Sequence, residues 1–284
     1  MDASTERDVR LFNLSWVEVK EWLKETDTIL IPMGSCEQHG PHLPCGVDTF
    51  AGEYVALKAA EKARVPVAPT INYGYSPFHM RRNEPGTLTI SSETYFHFLF
   101  EIGLSCVWHG FSKIVYVTGH TSNAPVIDRV VRALKYRTGA IAVNYAADTE
   151  VFAELCRDLL DKPDELPGWH AGEIETSSCL LIKPECCHLD RIKRCLPHHV
   201  DWMPEKFSKD SGSGFEIKYE GYPVRMALEQ EEYSATGVMG NPELGSREKG
   251  EKIYTRMIDL FTRFLLDLKS VKVDVKNRDY NERY

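Results

Sequence analysis

The chain has 284 residues, 43% hydrophobic and 27% charged, with 34 Lys and Arg against 42 Asp and Glu for a net charge of −8. That length suits one large α/β domain with an elaborated segment and is enough to bury a core without help from a disulfide or a structural metal. The acidic balance, without a basic stripe, argues against a nucleic-acid partner. No run approaches the roughly 18 apolar residues of a membrane helix, and the polar opening MDASTERDVR lacks the apolar core of a secretory signal. The eight cysteines, at 36, 45, 106, 156, 179, 186, 187 and 195, follow no regular framework. Reduced thiols in a cytoplasmic, soluble protein are therefore expected.

Ser15 and Glu18 form a candidate capping box, and Trp16, Val19, Trp22 and Leu23 follow at helical spacing. The apolar run 28–33 stops at Gly34 and reads as a buried strand. A helix is predicted over 48–63, a short strand over 65–69, and a helix capped by Ser92 as far as residue 108. KIVYVT, 113–118, reads as a strong strand ending at Gly119. Helix 124–136 carries Val126, Ile127, Val130, Val131 and Leu134 on one stripe, and strand 140–144 follows. The alternation of strand and helix predicts a parallel sheet covered on both faces. From about 184 to 235 the pattern weakens into an irregular region, too long for a simple loop, that reads as a lid or a subunit contact. An amphipathic helix over 248–268 closes a single domain of residues 1–270. A charged, frayed tail is expected over 271–284. There are no internal repeats and no low-complexity segments.

The chemistry concentrates in three places. GSCEQHGPHLPCGVDT, 34–49, directly follows a predicted strand, where parallel sheets place ligands. Its Glu37, His39 and Asp48 make a mixed oxygen and nitrogen set suited to Zn²⁺ or Mn²⁺, although a lone Glu-x-His pair is usually just solvated. VTGHTSN, 117–123, sets His120 after a second strand, at the same edge of the sheet. Asn123 there reads as a helix cap or as an amide that orients a ligand. WHAGEIETS, 169–177, packs Trp169, His170, Glu173 and Glu175 ahead of an apolar run. Carboxylates in a first helical turn suit the dipole whatever else they do, but His170 offers a general acid or base and Trp169 a pocket wall. Glu173 either orients His170 or, preferably, caps the helix. His42 reads as a support for the first loop, His79 as a residue lining a substrate pocket, and Arg81 and Arg82 as solvated. Cys186, Cys187, His188, Cys195, His198 and His199 lack the C-x-x-C spacing of a zinc cluster. The SGSG at 211–214 has no preceding strand, so it reads as a flexible loop and not a phosphate cradle.

These segments resemble the creatininase, or creatinine amidohydrolase, family. The family pattern G-S-x-E-Q-H-G-P-H-L-P leading to Asp-Thr is met by GSCEQHGPHLP…DT, and H-A-G-x-x-E-T-S by HAGEIETS. The family loop N-G-H-G-G-N is matched by TGHTSN only at Gly119, His120 and Asn123. PGTLTI, 85–90, and TGVMGNPELGSREKG, 236–250, also look like family sequence, so the likeness runs in order from about 10 to 268. It implies a three-layer αβα fold with a mostly parallel central sheet, and a homohexamer. It also implies two divalent ions per subunit, Zn²⁺ foremost with Mn²⁺ or Fe²⁺ as alternatives. Glu37 would bind one ion, His39 the other, Asp48 both; His120 would complete the first site and Glu175 the second. The chain departs from creatininase itself where that enzyme has a carboxylate two positions after the loop histidine; Ser122 stands here. Glu175 is then expected to supply the missing ligand, or to act as a base.

What the resemblance implies is a metal-dependent hydrolase in which a hydroxide bridging the ions attacks a carbonyl of a small, cyclic substrate. One ion would stabilise the oxyanion and His170 would protonate the leaving group. Creatinine-like cyclic amides, a keto-inositol opened by C–C cleavage, and formamide or peptide bonds all fit that chemistry. His79, Trp169 and Asn123 are the expected substrate contacts. Retention of all five ligands disfavours a non-enzymatic scaffold. The lack of G-x-G-x-x-G or a P-loop after any strand disfavours a nucleotide-binding domain.

Overall fold

The run Thr28–Met33 is buried at every position, as is Lys113–Thr118; such continuous burial belongs to strands covered on both faces. In the computed structural model, which describes residues 7–161, 170–209 and 216–280, these are β1 and β2. With β3, Ile141–Ala146, they form a parallel sheet of order β1-β2-β3, in register from Thr28↔Lys113 to Met33↔Thr118 and from Lys113↔Ile141 to Thr118↔Ala146.

Alternate residues point to opposite layers, as the pleat requires. Leu30, Val115 and Val117 face a core shared by α2 (Val47–Ala63), α5 (Thr149–Leu155), α6 (Glu173–Ile182) and α7 (Arg247–Ser270). Ile29, Ile31, Met33, Ile114 and Tyr116 face α3 (Ser92–His109) and α4 (Ala124–Thr138). The expected three-layer αβα arrangement is therefore present. Each fully buried aliphatic side chain in these layers contributes about 1.5–3 kcal/mol.

Several details differ from the sequence reading. Segment 65–69 pairs only through isolated bridges from Val67 to Leu30 and Arg10. Pro66 and Pro69 have no N–H to extend a ladder there. The cap of α3 is Ser91, whose Oγ accepts Thr94 N at 3.3 Å, and not Ser92. Helix α1, Trp16–Glu25, buries Trp22 but leaves Trp16 76% exposed. The 184–235 region contains an antiparallel meander of β4 (Phe207–Ser208), β5 (Glu216–Tyr219) and β6 (Tyr222–Arg225), with its own small core of Val200, Met203, Ile217, Leu228, Tyr233 and Met239. SGSG lies outside the described residues. The tail is docked and not frayed as far as it is described: Lys276 N donates to Thr138 O, Arg278 Nη1 to Val107 O and Phe111 O, and Val275 and Tyr280 pack on the α3–α4 core.

Candidate metal centre

Because the three strands are parallel, the turns after β1, β2 and β3 open at one edge of the sheet. Two glycines bring a helix onto that edge. A Cβ at Gly34 would lie 2.2 Å from Thr49 N, and one at Gly119 would lie 2.1 Å from Asp48 O. The first turn of α2 therefore rests directly on the turns that follow β1 and β2. Asp48, the second residue of α2, faces both loops, where the helix dipole also favours its charge.

Around Asp48 the loops deliver three more predicted residues. Glu37, His39 and His120 are at most 5% exposed. Asp48 Oδ1 is 3.2 Å from His39 Nε2, and Oδ2 is 3.0 Å from His120 Nδ1. Glu37 Oε2 is 3.3 Å from His120 Nδ1. From the first turn of α6, Glu175 Oε2 comes within 3.5 Å of His39 Nε2 and accepts Ala171 N. All five residues assigned as ligands by resemblance thus meet in one place, three carboxylates among them.

The histidines are set by backbone carbonyls, which only accept. His39 Nδ1 donates to Glu37 O (2.9 Å), His120 Nε2 to Tyr75 O (3.2 Å) and His170 Nε2 to Gln38 O (2.7 Å). The other nitrogen of each ring is aimed at the carboxylates and carries a lone pair there once the ring is neutral. A metal-binding imidazole needs this arrangement. His39 Nε2 is buried with no hydrogen-bond partner, an orphan that a cation would satisfy. Glu37, His39 and Asp48 each bring a donor atom within 4.8 Å of the others; so do His39, His170 and Glu175, and Glu37, His79 and His170. The donor chemistry and the orphaned nitrogen fit divalent ions.

The structure places the remaining candidates as follows. His170 lies inside the donor cluster and not beside it: Nδ1 is 3.3 Å from Glu37 Oε1, and its ring centroid is 4.1 Å from that of His39. His79 is 3% exposed, with Nε2 3.1 Å from Glu37 Oε1 and its ring stacked on His170. Asn123 makes no cap bond. Its Nδ2 donates to Gly34 O and Thr118 Oγ1, and its Oδ1 accepts Tyr75 N, so it staples three loops together. Trp169 lies outside the described residues. Glu173 is the first residue of α6, not its cap, and pairs with Lys249 instead of His170. His42 Nε2 meets Thr176 Oγ1 at 3.0 Å, tying the first loop to α6 as expected. Arg81 is not simply solvated; its side chain is 10% exposed and bound to Glu84. Among the described residues the 186–199 cysteines and histidines form no metal-ligating group.

Sequence reasoning missed three partners. Ser35 Oγ donates to Asp48 Oδ2 (2.6 Å), Ser76 Oγ lies 2.9 Å from His120 Nε2, and Gln230 Oε1 accepts Gln38 Nε2 (2.6 Å). Ser35 sits within the first motif and was there to be found, whereas Ser76 and Gln230 lie in irregular segments that give no signal. Glu37, Asp48, His120 and Glu175 face a cavity of about 30 Å³, whose wall also includes Phe78, Thr121, Ser122, Thr149 and Glu150, while His39 lines another of about 430 Å³. A cavity of about 570 Å³ lies elsewhere, against Arg10, Phe12 and Phe50, and none of the five ligand candidates lines it. The chemistry belongs to the small one.

Electrostatics fit the donor set. Burial raises Glu37 to about 7 despite His120 beside it. Burial opposes a charge on His39, yet Glu175 and Asp48 outweigh it and hold the ring well above the ordinary imidazole range. In the same way Glu37 and Asp48 overcome burial and lift His120 to about 9. Burial, then the neighbouring histidines, push His170 well down, so its ring is neutral. Protons on His39 and His120 thus hold the carboxylate charge that cations would hold in their place.

Buried imidazoles and carboxylates converging at the carboxyl edge of a parallel sheet define a metal-dependent α/β enzyme. The chain belongs to the creatininase family, a family of hydrolases: the family model described as creatinine amidohydrolase matches residues 13–265. It is 29% identical to a 3-dehydro-scyllo-inosose hydrolase of Thermotoga maritima, over 88% of this chain and 80% of that protein. It is 28% identical to a creatinine amidohydrolase of Pseudomonas putida, over 87% and 92% respectively. A solved structure described as creatininase with Mn shares the fold, with a TM-score of 0.70 at 23% identity over 93% of this chain and 100% of that one.

Proposed function

We propose that the chain hydrolyses a small, cyclic carbonyl substrate at a pair of divalent ions, Zn²⁺ or alternatively Mn²⁺ or Fe²⁺. Glu37, Asp48 and His120 would hold one ion, and His39, Asp48 and Glu175 the other. The observation that carries this reading is the set of rings His39, His120 and His170, each fixed through one nitrogen by a carbonyl and presenting the other to buried carboxylates. When bound, the ions would polarise a carbonyl oxygen and bring the pKa of a water towards neutrality. Asp48, with one oxygen towards each histidine, is placed to serve both ions. His170 presents an unprotonated Nδ1 to the cavity; it is placed to take a proton there and return it to the leaving nitrogen or carbon. His79 stacks against His170 and limits its rotation. Trp169 is kept as a substrate-side residue, whereas Asn123, buried with both amide atoms bonded to the loops, acts only through the loops that it joins.

A second reading, ring opening of a keto-inositol, draws support from the hydroxyls at the cavity wall, Thr121, Ser122 and Thr149, which would suit a polyhydroxylated ring. The relative from Thermotoga maritima points the same way. The test is elemental analysis of the purified protein followed by turnover assays on creatinine, keto-inositols, and formamide and peptide substrates. Two equivalents of metal and turnover of one of these classes is the expected result; a metal-free protein active on any of them would overturn the reading. We further propose a cytoplasmic homohexamer. Eight free cysteines suit that compartment, and the exposed Phe12 and Trp16 suit a subunit contact. No helix among the described residues is long and apolar enough to cross a membrane.

A further inference from the structure

Lys249 lies outside the donor cluster, near the start of α7, yet its side chain is only 10% exposed and that of its partner Glu173 only 1%. The three protons of its ammonium meet three acceptors: Glu173 Oε1, Asp161 Oδ2 at 2.7 Å and Leu244 O at 2.8 Å. Glu173 Oε1 also accepts Asp161 N, while Oε2 is buried with no partner. An ion pair taken this far from water is poor value as a stabilising contact, since a well-packed apolar pair does as well or better. Its place in the fold suggests another use. Glu173 is the first residue of α6 and Glu175 the third, so the turn that Lys249 grips is the one that presents Glu175 to His39. The start of α7 grips α6 at other points too. Ser246 N donates to Ser177 Oγ (3.0 Å), which in turn donates to Glu173 O (2.7 Å). Gly250 lies so close beneath α6 that a Cβ there would be 2.3 Å from Ser177 O.

We propose that Lys249 is a positioning residue: through Glu173 it fixes the first turn of α6 and so sets the affinity of the site for the cation shared by Glu175 and His39. The proposal rests on the reading of Glu175 as a ligand. Groups that orient metal ligands change metal affinity by roughly 10–100-fold when removed. A merely structural ion pair would instead lower the melting temperature and affect both cations alike.

The test titrates the metal-stripped full chain with Zn²⁺ alone, against a competing chelator, for the wild type, K249M, K249R, the double variant E173Q/K249M and E175Q. Melting curves are recorded on the same preparations. K249M is expected to bind one equivalent as the wild type does and the other about 10–100-fold more weakly. K249R should recover most of that loss, and the double variant, freed of an unpaired buried carboxylate, should fold well but keep the weak equivalent. Wild-type affinity for both equivalents in K249M or the double variant would overturn the proposal, as would equal weakening of both. If K249M fails to fold, the double variant decides alone. Should E175Q keep both equivalents at full affinity, the ligand assignment itself fails, and the proposal with it.

Discussion

Asp48 shows how much one side chain is asked to do. Its two oxygens face different histidines, one from each proposed ion site. Asp48→Asn keeps the shape but would offer a neutral, weaker ligand to the two proposed ions. Both metals should be lost together, as measured by metal content; two ions per chain with normal activity would remove Asp48 from this role. His170→Ala separates two roles for a ring that the sequence placed next to the ligand candidates and the structure places among them. For a proton shuttle, metal content should hold while kcat falls by roughly 10²–10⁴; metal lost along with activity would make it a ligand. Asp148, the cap of α5 just after β3 and 5% exposed, is raised by burial to about 6 from an ordinary 3.8. In the metal-stripped protein its proton favours the folded state fully below the unfolded value, and that contribution is lost as pH rises through 6. Asp148→Asn cannot titrate and still caps Val151 N. Its stability relative to the wild type should therefore improve between pH 4 and 7, by an amount on the order of 2 kcal/mol, in melts at the two pH values. Glu37, His39 and His120 were legible because motif and strand end coincide in the sequence. The burial of His79 was not, since nothing in the polar string SPFHMRRNEPG says that the loop folds inward over Glu37.

Among the elements, β1 and β2 were read to the residue because each is built on an apolar run and is followed at once by a glycine. Those same glycines do more than stop a strand. With Asp48 O only 2.1 Å from where its Cβ would be, Gly119 admits the first turn of α2 and no larger residue does. Gly119→Ala must push α2 off the sheet edge, and overpacking of this kind costs about 1–3 kcal/mol or more. The expected result is a lowered melting temperature together with weakened metal binding, because the displaced turn carries Asp48. A mutant that melts lower yet binds both ions normally would show that α2 can shift without moving its carboxylate. The meander was invisible for a related reason. Its strands are short, partly exposed and joined by Glu220-Gly221, both at positive φ, in place of the Asn-Gly or Asp-Gly that announces a hairpin. Segment 65–69 failed in the other direction: its composition suits a strand, but its prolines cannot donate.

At the scale of the whole molecule, the layers followed from alternation of strand and helix, while the docked tail did not, because a charged run carries no sign of where it will lie. The irregular 184–235 region, with the few residues that follow it, is not an appendage either. It delivers Gln230 to Gln38, and it lays Met239 N on His170 O, so the metal centre is closed from behind by residues distant in the chain. The ligand candidates themselves run from Glu37, just after β1, to Glu175, across β2, β3 and the helices between them. An unfolded chain cannot gather them, so ions at this centre would bind the native state almost exclusively. Folding and metal supply are then a single equilibrium: each tenfold rise in free metal above the dissociation constant adds about 1.4 kcal/mol per ion to the stability. The melting temperature should climb with the logarithm of added Zn²⁺ or Mn²⁺ and fall back when a chelator is added. A melting temperature indifferent to both would mean that the centre does not hold metal in the folded state. In a cell short of these ions, the population of folded enzyme, and not only its activity, would track the metal that the cell can spare.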